Sequence, residues 1–269
     1  MGHGFDHDFL GVPAPPPGHS PEVQADLALV DGRPVLDYTH FSLAMSASRR
    51  FARWVAWNID GQRLLPSDGL GREGLDFRVD RRLPHGQVDD RVYRSNPLDR
   101  GHLARRADLL WGELAEAQQA NVDSFFFTNI TPQIDAFNQS KRGGLWGLLE
   151  NAVLNQSDLD RRRLSVMAGP VLDGGDRWYR EVQIPERFWK VVVYSRGGEP
   201  RAKAFVLQQD LGALGETEFA EFQTYEYSFA ALAELTGLSY DAVASFELLT
   251  PSVLDGVRPA LHDPDDVAW

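Results

Sequence analysis

Cysteine is absent from all 269 residues, which removes disulfides, thiolate-ligated zinc and thiol nucleophiles from consideration. That absence does not fix the compartment. Lysine is almost as scarce: Lys141, Lys190 and Lys203 are the only three, so the cations are nearly all arginine, the better fork for phosphate. Apolar runs long enough to cross a membrane are missing. The first twenty residues have neither a basic start nor an apolar stretch of signal-peptide length. Localisation is therefore left open between the cytoplasm and a non-classical export route. Positive charge is short overall, with a formal net charge of −12 and a pI near 5.0. That balance runs against the basic footprint usual for nucleic-acid binding. A bound metal would add local charge that a formal count ignores.

What is present suits a soluble globular protein, with 43% hydrophobic and 25% charged residues and enough length for a sizeable core. Residues 1 to about 33 read as an extended N-terminal arm, because Pro13, Pro15, Pro16, Pro17 and Pro21 disfavour regular structure. Two aromatic and β-favouring stretches, Val35 to Met45 and Arg53 to Ile59, flank a polar turn and predict a two-stranded hairpin. Residues 60 to 98 read as loop. Apolar spacing predicts helices over Ala107 to Ala120 and Trp146 to Leu154, and shorter ones over Ser228 to Leu235 and Tyr240 to Ala244. Strands are expected at Ser124 to Ile130, Leu164 to Ala168, Trp189 to Tyr194 and Ala202 to Leu207. The mixture lacks a β-α-β rhythm and points to an α+β fold.

Gly69-Leu70-Gly71-Arg72-Glu73-Gly74 matches G-x-G-x-x-G letter for letter. A dinucleotide site needs a strand before it and a helix after it. Pro66-Ser67-Asp68 precedes it and no amphipathic helix follows before Pro84, so it reads as a flexible loop.

Phosphodiester hydrolysis needs a base to activate water, a cation to stabilise developing charge, and groups that hold phosphate in line. Residues 99 to 150 offer all three. In Asp99-Arg100-Gly101-His102 the histidine can act as general base, and Gly101 permits close approach of backbone and substrate. A single histidine beside an arginine is equally compatible with a structural role. Asn129, Gln133, Asn138 and Gln139 crowd amides into a short span. They fit turn and cap chemistry or oxygen donation to a hard cation such as magnesium, which keeps most of its waters. Glu150 lies on the helix expected to begin near Asn138, placed either to hold a hydrated metal from its outer shell or to face solvent.

Four ordered segments together resemble the DNA/RNA non-specific endonuclease family, the ββα-metal or His-Me finger nucleases. They are Asp99-Arg100-Gly101-His102; Thr128-Asn129-Ile130-Thr131-Pro132-Gln133; Phe137-Asn138-Gln139; and Trp146 to Glu150. Weaker likenesses in Gly4-Phe5-Asp6, Leu36 to Ser42 and Phe188-Trp189-Lys190 extend the resemblance over nearly the whole chain. It implies an arm over 1–33 and one endonuclease domain over 34–269. It also implies a central antiparallel sheet flanked by helices, with a ββα-metal motif. There the first strand carries His102, the second ends at Asn129, and the helix carries Asn138 and Glu150.

By the same resemblance His102 is the general base, and Asn138 is the direct ligand of one hydrated Mg2+, with Mn2+ as a substitute. Glu150 holds that hydrated ion from the second shell, Asn129 positions metal site and histidine, and Asp99 and Arg100 shape the site. Arg100, Arg105 and Arg142 are candidate substrate contacts. Arg72 is the candidate transition-state arginine, with Arg78 as its alternative. The activity implied is cleavage of DNA or RNA with little sequence preference, leaving 5′-phosphates. An inhibitor or immunity protein and a homodimer are compatible partners. The rival reading is a non-catalytic nucleic-acid- or protein-binding module on the same fold. One departure is the longer spacing between Asn138 and Trp146, which leaves the register of Glu150 open.

Overall fold

A computed structural model describes residues 3–66, 69–139, 145–159, 163–214, 223–249 and 260–261. Arg142, a candidate substrate contact, and most of the spacing that follows Asn138 lie outside these residues.

The organising element is an eight-stranded antiparallel sheet. Its members in chain order are β2 (Val35–Asp37), β3 (Phe41–Met45), β4 (Ala52–Asp60), β7 (Arg163–Val171), β10 (Arg187–Arg196), β11 (Glu199–Gln208), β12 (Gln223–Tyr227) and β14 (Ala260–Leu261). Their spatial order is β14-β12-β11-β10-β7-β4-β3-β2. Both faces of its central strands are apolar, so β4 and β10 each feed two cores by alternation. Val55, Trp57 and Ile59 of β4 enter one cluster, while Trp54 and Ala56 enter the other. On β10, Phe188, Val192 and Tyr194 face the first cluster, and Trp189, Val191 and Val193 face the second.

The second face is covered by the N-terminal stretch and by α5 (Phe229–Thr236), with Ala14, Val23, Leu27, Phe229 and Leu232 in one cluster. The expected arm is thus packed on the sheet. Asn58 ties it down, accepting from the Asp6 amide at 2.8 Å and donating to the Asp6 carbonyl at 3.1 Å. Pro21 does not break structure there. It sits at the start of α1 (Pro21–Ala25), where its missing N–H is no loss, behind an N-cap Ser20 that accepts from Val23. Short β1 (Gly18–His19) pairs with β13 (Leu238–Ser239).

The first face carries the remaining helices and a separate two-stranded unit. Several expectations shift here for identifiable reasons. The first strand of the expected hairpin is split into β2 and β3, which fold back on each other because His40 takes φ 71°. The helix expected from Ala107 begins only at α2 (Leu114–Asp123), after a 3-10 turn over Arg106–Leu109. Gly112 at φ 89° interrupts any continuous helix, and Trp111 turns inward to donate to the Asn58 carbonyl at 2.8 Å. The Phe125-Phe126-Phe127 run forms no strand. It enters a 3-10 turn over Phe127–Asn129, closed by Asn129 N–H to the Phe126 carbonyl at 2.9 Å, and the strand β6 (Ile130–Ile134) starts afterwards. The helix expected to carry both Asn138 and Glu150 is two helices: α3 (Asp135–Asn138), ended by the extended Gln139, and α4 (Leu145–Leu159). The glycine-rich segment 69–74 is loop. No described helix is long and apolar enough to cross a membrane.

Candidate active site

β5 (Leu98–His102) and β6 form an antiparallel pair, with His102 opposite Ile130 and Asp99 opposite Gln133. With α3 they make a β-β-α unit seated on the first core through Leu98, Ile130, Ile134 and Phe137. Buried Gln209 fastens it to the main sheet. Gln209 accepts from Ile134 N–H at 2.7 Å and donates to the Pro132 and Pro185 carbonyls at 3.2 and 2.7 Å.

Gly101 has a role, though not the one expected. A Cβ there would lie 2.0 Å from Oε1 of Gln133, so the glycine makes room for a side chain across the ladder. Arg100 and His102, two apart on β5, both meet Phe77, the ring centroids of Phe77 and His102 being 5.6 Å apart.

A cavity of about 530 Å³ opens at the end of this unit. Arg72, Asp99, Arg100, His102, Arg105, Asn138 and Glu150 all line it. Seven candidates spread over 79 positions of sequence thus meet at one place. Phe77, Arg106, Ala107, Gln139 and Gly147 complete the wall. Four arginines against two carboxylates make the cavity locally cationic in an acidic protein.

His102 has a buried Nε2 with no hydrogen-bond partner. Burial, then the guanidinium groups of Arg72 and Arg106, push its pKa down to about 3. The imidazole is therefore neutral at physiological pH and can accept a proton. Phe125 packs edge-on against the ring at 5.5 Å, fixing its plane.

Asn129 does not reach the cavity. It is fully buried, and its amide is consumed on backbone: Oδ1 accepts from Ala104 N–H at 2.9 Å, and Nδ2 donates to the Ala104 and Ser124 carbonyls at 3.0 and 3.1 Å. Its own carbonyl accepts from Leu103 N–H at 2.9 Å. The residue clamps the chain just after His102 and has no free donor for a metal. It lies behind the cavity wall and acts on the site only through the chain it holds, without touching a substrate there.

Asp99 accepts from Asn138 Nδ2 at 3.1 Å and from Gln139 Nε2 at 2.7 Å. That uses the Asn138 amide nitrogen and leaves its carbonyl oxygen without a hydrogen bond. Arg100 is held by Asp90, donating through Nε at 2.8 Å, and lies over the rings of Phe77 and Tyr93. Arg105 donates to Asn151 at 2.7 Å and stands 3.6 Å from Oε2 of Glu150. Arg72 is exposed at the cavity edge and engages no partner there. Arg78 is spent elsewhere: it donates to the Val122 carbonyl at 3.1 Å, and its guanidinium lies 4.2 Å from the centroid of Phe126.

No cluster of three or more histidine, aspartate or glutamate side chains capable of holding a metal occurs among the described residues. A multi-carboxylate or zinc-type site is thus not what these residues build. One amide oxygen on Asn138, with the Glu150 carboxylate on the same cavity, fits a hard cation that keeps most of its waters.

The family model for DNA/RNA non-specific endonucleases matches residues 20–245. The chain belongs to the DNA/RNA non-specific endonuclease family. Among relatives, an uncharacterized Sinorhizobium fredii protein is 34% identical over 88% of this chain and 38% of its own length. A nuclease of Nostoc sp. is 30% identical over 57% of this chain and 52% of its own length. Human mitochondrial endonuclease G is 28% identical over 62% of this chain and 57% of its own length. This family member therefore spans less than two thirds of each of these relatives. The crystal structure of an EndoG/EndoGI complex shares its fold, with a TM-score of 0.61 over 78% of this chain and 89% of that one, at 20% identity.

The sequence reading missed Arg106 and Phe77 in this family member's cavity wall. The Arg105-Arg106 doublet carried a signal for the first. Nothing in a loop rich in glycine and aspartate marked the second.

Proposed function

We propose that this chain is a divalent-cation-dependent endonuclease that hydrolyses phosphodiester bonds of DNA and RNA with little sequence preference. The observation that carries the reading is His102: a neutral imidazole, held in plane by Phe77 and Phe125, on a cavity lined by four arginines. A histidine kept neutral by burial and neighbouring cations stands unprotonated in the resting site and can accept a hydrogen bond from water, and a phosphate that neutralises those arginines would raise its proton affinity. The arginines offer sequence-blind contacts to phosphate, which position a strand without reading its bases. Arg72 is the arginine free to meet the charge that builds on phosphorus. Arg100 acts at one remove, through its tie to Asp90.

Asn138 would hold the cation through its amide oxygen, and Glu150 would orient it from the outer shell. Magnesium, or manganese in its place, would supply the positive charge that offsets charge on the phosphate and leaving oxygen. With His102 as base, cleavage leaves 5′-phosphate ends, as the family resemblance implies. The domain reading is one endonuclease unit over 34–269 with the stretch before it packed as a strap. The EndoG/EndoGI complex supports an inhibitor protein as a class of partner, and a homodimer is compatible with the reading.

The deciding experiment is plasmid nicking with magnesium, with chelator, and with His102→Ala. Magnesium-dependent nicking that the variant loses is the expected result. Equal cleavage by the variant would overturn the mechanism. No cleavage by the unaltered protein across several metals and salt concentrations would favour a nucleic-acid-binding module.

A further inference from the structure

Directly behind the cavity lies a cluster that the mechanism above does not use. Lys190 sits in the middle of β10, and alternation places it between Phe188 and Val192 on the face that packs under the site. It is only 1% exposed. Its ammonium lies 4.0 Å from the ring centroid of Trp146 and 5.5 Å from that of Trp57. Trp146 belongs to α4, the helix that carries Glu150. The ammonium stands 3.6 Å from Oε1 of Glu150, while Arg105 Nε stands 3.6 Å from Oε2. Asp108, fully buried, accepts from Trp57 Nε1 at 3.0 Å and closes the cluster. Burial draws the Lys190 pKa down, and Glu150 and Asp108 work against that.

A buried ammonium is an expensive way to fill a core position that methionine or leucine would fill without desolvation. The separation of 3.6 Å is an ion pair rather than a hydrogen bond, so it attracts Oε1 without saturating it. Oε1 is indeed a buried oxygen with no hydrogen-bond partner.

We propose that Lys190 is a positioning residue for Glu150, its ammonium caged by Trp146 and Trp57 and drawing one carboxylate oxygen inward so that the other is presented to the cavity beside Arg105. This rests on the reading of Glu150 as the outer-shell holder of a hydrated divalent cation.

The test is Mn2+ binding, followed by loss of the free-ion electron paramagnetic resonance signal, in a double-variant cycle. Glu150→Gln and Lys190→Met should each weaken Mn2+ binding about tenfold, the usual scale for outer-shell partners. The double variant should lose no more than the worse single, because both changes remove one interaction. In nicking assays Lys190→Met should lower kcat with KM for DNA nearly unchanged. Mn2+ binding by Lys190→Met equal to that of the unaltered protein would overturn the proposal, as would a double variant whose loss is the product of the two singles. If Lys190→Met does not fold, Lys190→Gln, of similar reach and without charge, runs the same cycle. Absence of Mn2+ binding by the unaltered protein would instead sink the metal reading, and this inference with it.

Discussion

His40 and His102 are both largely withdrawn from water, and both have pKa values below the ordinary histidine range chiefly because of burial. Their surroundings differ in everything else. His40 is anchored at one nitrogen, its Nδ1 lying 2.8 Å from the Leu109 carbonyl; its Nε2 stands 3.1 Å from a Glu116 carboxylate oxygen without hydrogen-bond geometry, and the ring stacks on Trp111 with ring centroids 3.6 Å apart. His102 has an unpartnered Nε2, two arginines pressing on it, and a cavity in front. The same contrast recurs with asparagine and arginine. Asn129 spends its amide on backbone, whereas Asn138 keeps an oxygen free. Arg78 is spent on Val122 and Phe126, whereas Arg72 has no partner at the cavity. The anchored member of each pair builds the wall, and the other lines the cavity.

The histidine pair should separate most. His102→Ala should lower plasmid nicking by about 1000-fold, the middle of the range for a general base, with little change in melting temperature. His40→Ala should do the reverse. It deletes a stacked ring and two polar contacts, for about 2 kcal/mol and a melting point lower by about 4–8 °C, while activity per folded molecule stays within about twofold. If His40→Ala abolished nicking in folded protein, the division into wall and face would be wrong.

Next comes the asparagine pair. Asn138→Ala should reduce nicking by about 100-fold and raise the magnesium concentration for half-maximal rate, with modest loss of stability. Asn129→Ala would strand Ala104 N–H and two carbonyls, and should cost about 3 kcal/mol as read by urea unfolding. Added magnesium should not rescue it. Restoration of Asn129→Ala by excess metal would place that residue at the metal after all.

These contrasts also mark what was legible in the sequence. The order of His102, Asn138 and Glu150 was readable, as was an α+β mixture of elements, because motif order and apolar spacing are local properties; the antiparallel sheet was implied by the family resemblance alone. Three things were not. Aromatic residues at 125–127 report burial, not extension, so their strand was placed several residues early. Apolar spacing from Ala107 could not show that Gly112 would adopt φ 89° and delay the helix. Residue type alone does not distinguish Asn129 from Asn138, because the difference lies in which backbone groups fold back to meet each amide. Lys190 has no role in the sequence reading beyond a strand position and a family likeness. Its position two residues from Phe188 and two from Val192 already placed a cation on an apolar face, the signal that could have singled it out.

The arginine pair should differ less. Arg72→Ala should slow nicking by about tenfold with KM nearly constant, the signature of an interaction that strengthens in the transition state. Arg78→Ala should change the rate by less than about threefold, its loss falling on packing against Phe126. A larger kinetic effect at Arg78 would transfer the transition-state role to it.

The smallest effect tests the histidines through stability and needs no substrate. Each has a folded-state pKa below the ordinary histidine value of 6.5, so between that value and the lowered one the unfolded chain binds more protons than the folded chain. Stability must then rise with pH across that window: it is complete above about 6.5 and is lost as acid carries the pH down toward 3. Lowering the pH from 7 to 5 should cost on the order of 1 kcal/mol through His102, after allowing for its partial contact with the water-filled cavity. His102→Ala should flatten that part of the pH slope, and His40→Ala should flatten it less, because its contacts with the Leu109 carbonyl and the Glu116 carboxylate oppose the effect of burial. Urea midpoints at the two pH values read the difference directly. A slope as steep in His102→Ala as in the unaltered protein would mean that the imidazole is not held neutral by its surroundings, and the argument for His102 as a ready base would lose its footing.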